Sequence, residues 1–208
     1  MRAGFGAAVL AGAAVLAVGP AAAPQVAAAA RTWTVSPGGA IKASGGKTTL
    51  TDTTTGATLN CTSSKMSGTL KAGGGLSGTG IGSITTAAYD CATPIGNVHL
   101  TARGLPWHLN LTSYNAGTGV SHGTISHLRL ALLLPGCSAA INGTSGAASD
   151  GVVAVTYANA TGRLKILPAG GNLHWYHVVG CAGLVGNGHP AELSATYAIS
   201  PAQAITSP

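Results

Sequence analysis

The sequence predicts an all-β protein: an antiparallel β-sandwich or distorted β-barrel with two disulfides, following an N-terminal signal peptide. Three observations predict it. Apolar residues alternate with polar ones in segment after segment, the period of a half-buried strand. Clusters of Gly, Pro, Asn and Thr break these segments about every 8 to 12 residues, the spacing of an all-β chain. Four cysteines follow an apolar leader, as in secreted, oxidised proteins.

The leader is residues 1–30. Arg2 gives the positive start, residues 9–18 the apolar stretch, and the alanines at 27–30 a small-residue cleavage site, so cleavage is expected after Ala30. The apolar stretch is shorter than the ~20 residues a bilayer span needs. No later run reaches that length, and no Cys follows the alanines to carry a lipid. The expected product is a secreted or cell-surface-associated chain, 31–208, forming one β-domain that is not transmembrane.

Its composition is lean. Leu, Ile and Val make up 36 of the 178 residues after Ala30, and the one Phe lies in the leader. Sparse charge argues against disorder, and three Trp, five Tyr and two potential bridges supply what the aliphatic residues lack. Nine Lys and Arg against four acids leave the mature chain at +5, and the basic residues are scattered. Nucleic-acid binding calls for a basic stripe or stacking aromatics in a groove, and neither is present. The charge supports only weak attraction to an anionic cell wall or membrane surface. Of the three possible pairings, Cys61 with Cys91 and Cys137 with Cys181 is preferred, because each bridge then closes a moderate loop within one half of the chain. Each bridge stabilises by about 3 to 5 kcal/mol in the loop-entropy account.

Taken in order, residues 33–59 read as short strands separated by turns at 37–39, 44–46 and 54–56. Residues 71–82 carry six glycines, as a loop or as a strand on which another backbone packs closely. Trp107, Leu109 and Leu111 share one face of a strand that turns at 115–119 into a long apolar return. In that return Leu128, Leu130, Leu132 and Leu134 alternate, and the change of parity after Ile125 predicts a bulge near Ser126. Val153, Val155 and Tyr157 form a hairpin with Leu164 and Ile166. Leu173, Trp175, His177 and Val179 form the next strand, and Leu193, Ala195, Tyr197 and Ile199 form the last. The total is about ten to thirteen strands with no convincing helix.

Several motifs invite a function. Gly119-Val120-Ser121-His122-Gly123 fits G-x-S-x-G, which in α/β-hydrolases lifts a nucleophilic serine onto a strand-to-helix turn. Asp150 and His177 follow in the order of a Ser121, Asp150, His177 triad, with His174 and His189 as other possible bases. That motif needs several crossover helices, and this chain offers at most one weak helical segment, so a Gly-bounded hairpin arm is the plainer explanation. The three-residue spacing of His174 and His177 converges on a helix but diverges on a strand, and no metal ligand or cofactor site is expected. Four scattered acids do not make a glycosidase pair. Trp33 and Tyr176 are the aromatics expected to face a ligand, and Trp107 and Trp175 those expected to fill the core. The segment 181–190, beside a cysteine, is the candidate loop for a protease inhibitor.

Trp33-x-Val35-x-Pro37-Gly38-Gly39, Leu59-x-Cys61-x-Ser63-Ser64, Gly104-x-Pro106-Trp107-x-Leu109-Asn110 and Gly180-Cys181-x-Gly183-Leu184 together resemble uncharacterised secreted proteins of actinobacteria, over nearly the whole chain after the leader. The resemblance implies secretion and no particular activity, so it assigns no catalytic residue. The expected function is therefore a non-catalytic extracellular β-domain that binds a cell-surface component or a small apolar ligand. A small secreted serine hydrolase using Ser121 and a secreted protease inhibitor are the alternatives.

Overall fold

A computed structural model describes residues 31–93, 96–146 and 149–208. The expected signal peptide lies outside the described residues. Among the described residues, fourteen strands follow one another without a helix. In chain order they are β1 (Thr32–Ser36), β2 (Gly39–Asp52), β3 (Thr58–Leu70), β4 (Gly73–Ser77), β5 (Gly82–Thr93), β6 (Gly96–Arg103) and β7 (Trp107–Asn115). The second half supplies β8 (Val120–Leu134), β9 (Cys137–Asn142), β10 (Gly151–Ala158), β11 (Arg163–Ile166), β12 (His174–Val179), β13 (Ala191–Ser200) and β14 (Ala204–Thr206).

The sheet closes on itself. β2, β3, β5, β8 and β13 are long strands of 10 to 15 residues, and shorter strands fill the gaps between them end to end. Between β5 and β8, β7 fills the lower half and β6 the upper. Between β8 and β13, β10 and β11 fill the lower half. In the upper half β9 and β12 leave β8 and reach the residues just before β13, where His174 bridges Pro190. The result is a closed eight-stranded antiparallel barrel with extra strands. Between the two architectures left open by the sequence, barrel is the answer. β1, β4 and β14 form a separate three-stranded sheet.

An eight-stranded barrel is just wide enough for its inward side chains to fill it. Leu50, Ile125, Leu128, Leu130, Ile141, Leu193 and Tyr197 are fully buried, as are Trp107 and Trp175. The bridges pair Cys61 with Cys91 and Cys137 with Cys181. The first joins residues directly opposite each other on β3 and β5. The second ties the start of β9 to the segment after β12.

Most expected elements are present, including the hairpins through 115–119 and 159–162. The glycine-rich segment is a strand: β4 pairs with β1, and just beyond it Leu111 N donates to Gly78 O at 2.9 Å. The expected turn at 44–46 is wrong, because β2 runs unbroken through it. Gly45 is there for space. A Cβ on it would stand 2.8 Å from Ser64 Oγ and 2.9 Å from the Tyr197 ring, so glycine lets that ring lie over the strand. The register shifts here, with one extra residue on β2 between the partners of Ala195 and Tyr197.

The close packing predicts that Gly45→Ala lowers stability by about 1 to 3 kcal/mol through overpacking against Tyr197 and Ser64. Chemical denaturation of the two proteins checks it. An unchanged midpoint would show that the Tyr197 ring yields freely.

Candidate functional site at the upper mouth of the barrel

The upper end of the barrel carries the turns at 53–56 and 135–136 and the segment 180–190. A cavity of about 110 Å³, open on one side, lies there. β2 contributes Leu50, β3 Leu59, β8 Leu132 and Leu134, and β12 Trp175, and the segment after β12 contributes Leu184 and Val185. Ala57 and the Cys137 half-cystine complete the apolar lining. The two threonines in the wall already use their protons, Thr58 donating to Gly56 O at 3.2 Å and Thr93 to Gly96 O at 3.1 Å. The wall therefore offers hydrocarbon, and its alternating strand positions place these side chains inward by the pleat.

One polar device holds the wall in place. Asp52, at the end of β2, is fully buried. Its Oδ1 accepts from the N–H groups of Thr54 and Thr55 at 2.9 and 3.0 Å, capping the turn into β3. Its Oδ2 meets His189 Nδ1 at 2.9 Å and accepts from Gly186 N at 3.4 Å, holding the segment that carries Leu184 and Val185. Thr55 Oγ1 donates to Leu184 O at 2.6 Å, and Thr53 N to Pro190 O at 3.1 Å. Burial pushes the Asp52 carboxyl up, but the N–H groups of Thr55 and Thr54 and the His189 ring outweigh it, leaving it below its usual 3.8. His189, one of the possible triad bases in the sequence, is engaged by Asp52 instead. Its partner lies 137 residues away.

The hydrolase constellation is not assembled. Ser121 is the second residue of β8, paired on both sides with Tyr114 and Tyr157; its side chain is buried, and its Oγ has no hydrogen-bond partner. Asp150 accepts instead from the N–H groups of Gly143 and Ser145 and from the Ser145 hydroxyl. Burial raises its carboxyl, and these donors more than offset that and hold it below 3.8. His177 is exposed on β12 with a backbone φ of 51°. The second glycine of the motif has a packing role: a Cβ on Gly123 would clash with Asn110 O on the paired strand β7.

Two aromatic assignments change. Trp33, expected to face a ligand, is 1% exposed and belongs to the core beneath the three-stranded sheet. Tyr176 is half-buried, and its hydroxyl donates to Thr144 O at 2.9 Å, so it is engaged with its own neighbourhood. The aromatic in the cavity wall is Trp175, its neighbour on the opposite face of β12. The alternation of Trp175 with Tyr176 was visible in the sequence, but which face met a cavity was not. Among the described residues no group of three His, Cys, Asp or Glu converges to hold a metal, and no helix is long and apolar enough to cross a membrane.

The fold and its mouth define the protein as a closed antiparallel β-barrel with two disulfides and an apolar cavity at one end. No protein-family model matches the chain, and comparison with curated proteins and with solved structures found no match.

Two outcomes follow. Asp52 contributes stability as the anion, and its folded value is depressed. That contribution is therefore present above about 3.8 and is lost as the pH falls through the folded value. Unfolding free energies measured from pH 6 downwards are expected to drop in this acid range, and Asp52→Asn is expected to flatten that part of the profile. Separately, Ser121→Ala removes an unpartnered buried hydroxyl, so stability is expected to stay level or rise by up to about 1 kcal/mol. Thermal denaturation measures this, and a large loss would show that Ser121 has a partner after all.

Proposed function

We propose that the chain is a secreted, non-catalytic binding domain whose upper barrel mouth holds one small apolar group. One observation carries this reading: the cavity beside Trp175 is walled by Leu, Val, Ala and half-cystine side chains, and its threonine hydroxyls are already spent on backbone carbonyls. Such a wall rewards removal of hydrocarbon from water, and against the many hydroxyls of a sugar it sets only the acceptor lone pairs of two threonines and the unpartnered Nε1–H of Trp175. Its volume of about 110 Å³ is somewhat below the 150 Å³ of an engineered apolar cavity that takes up benzene. A single ring or a short alkyl end therefore matches its size. Two disulfides accord with an oxidising compartment, and the apolar leader in the sequence supports export.

The hydrolase alternative lacks a base at Ser121. The inhibitor alternative rested on the segment 181–190. Hydrogen bonds from Thr53, Thr55 and Gly186, and the contact of His189 with Asp52, fasten that segment over the cavity.

Cyclohexane is the direct test. Ligand-detected NMR and Trp fluorescence of the purified protein are expected to show saturable binding. Ala57→Leu, which fills the cavity from a partly exposed wall position, is expected to weaken it at least tenfold. Equal binding by the variant would place the ligand elsewhere, and no binding by either protein would remove the proposal.

A further inference from the structure

Among the described residues, the exposed large hydrophobic side chains are Leu133 at 57%, Val179 at 66% and Leu184 at 58%. All three stand at the same end of the barrel. Leu133 and Val179 lie on either side of Ser138, which pairs with both across β8, β9 and β12. One step further along, Leu134 pairs with Cys137, whose bridge to Cys181 leads to Leu184 at the cavity. The patch is thus continuous with the cavity mouth.

Charge is arranged in the opposite sense. None of the Lys and Arg residues falls in the segments that form this end, 52–58, 134–138 and 179–190. The charged pair there is Asp52 with His189, in which the carboxylate is buried. His99, which pairs with Leu133, His177, Glu192 opposite Thr51, and Asp90 on the upper half of β5 are other ionisable side chains towards this end. A basic protein whose apolar end carries no Lys or Arg does not direct that end towards an anionic partner by long-range attraction.

We propose that this end is a docking surface for an uncharged lipid layer, with Leu133, Val179 and Leu184 inserted among acyl chains. Two arguments select this occupant over a second copy of the chain. The three side chains leave on the order of 300 Å² of apolar surface exposed, well short of the ~800 Å² per partner of a standard protein interface. Hydrocarbon needs no shape-matched partner, and affinity for a lipid boundary scales with the apolar area inserted. The apolar cavity opening within the same patch also suits a neighbourhood of alkyl chains. This rests on the cavity reading only in that last respect, because Leu133 and Val179 do not line the cavity.

Flotation with phosphatidylcholine vesicles tests the proposal. The protein is expected to float with them equally at about 0.05 and 0.5 M salt, since the contact is not electrostatic. Leu133→Asp with Val179→Asp is expected to reduce partitioning at least tenfold while leaving the fold and cyclohexane binding intact, because both positions are solvent-exposed. Absence of flotation overturns the proposal. So does binding confined to anionic vesicles and abolished by salt, which assigns the contact to the scattered basic residues. A concentration-dependent dimer that the double variant dissolves also overturns it, in favour of a second copy. Retained cyclohexane binding with no flotation would leave the cavity reading standing, so the two fail separately.

Discussion

The fold depends on one strand keeping different partners at different heights. β8 pairs with β7 and β10 along its lower half and with β6 and β9 along its upper half. The exchange happens on both edges near Ser126 and His127. Opposite them, the β10 register steps from Val153, which faces Ile125, to Gly151, which faces Leu128. His127 takes a φ of 63°, a left-handed conformation uncommon for a residue with a side chain. This bulge turns the strand and flips its parity, so that Ser121, Gly123 and Ile125 point inward below it and Leu128, Leu130 and Leu132 above it. Without the flip, the leucines of the upper half would face solvent and the mouth would lose its wall.

A chain with few large aliphatic residues needs other means to fill a barrel. Fully buried Trp107, Trp175 and Tyr197 supply bulk where Phe is missing, and small residues let backbones approach one another. The bridges add constraint where packing is thin: one locks β3 to β5 face to face, and the other pins the segment that closes the mouth. The buried polar groups follow the same economy. Thr48 and Ser64 hydroxyls bond to each other at 2.7 Å inside the barrel, and Asp52 is surrounded by donors.

The chemistry follows from which side chains converge. Convergence at the mouth gives hydrocarbon around Trp175, with a buried carboxylate used as a fastener. Where the sequence offered a nucleophile, the structure gives an inward-facing serine at the start of β8, paired with a strand on either side. A G-x-S-x-G motif works as a nucleophile elbow only where the chain turns sharply from strand to helix, and here both glycines serve a hairpin.

By itself the sequence determined the period-two elements, the hairpins through 115–119 and 159–162, the bulge near Ser126 and the preferred disulfide pairing, because each of these depends on local pattern or on loop length. It misjudged residues 44–46, where glycine signals either a turn or the close approach of a distant ring, and local sequence does not separate the two. Closure into a barrel, the burial of Trp33, the pairing of Asp52 with His189 and the gathering of Leu59, Leu132, Trp175 and Val185 around one cavity were decided only by the tertiary structure. Each joins residues far apart in the chain, and their meeting depends on strand order and register, which alternation within a strand does not encode.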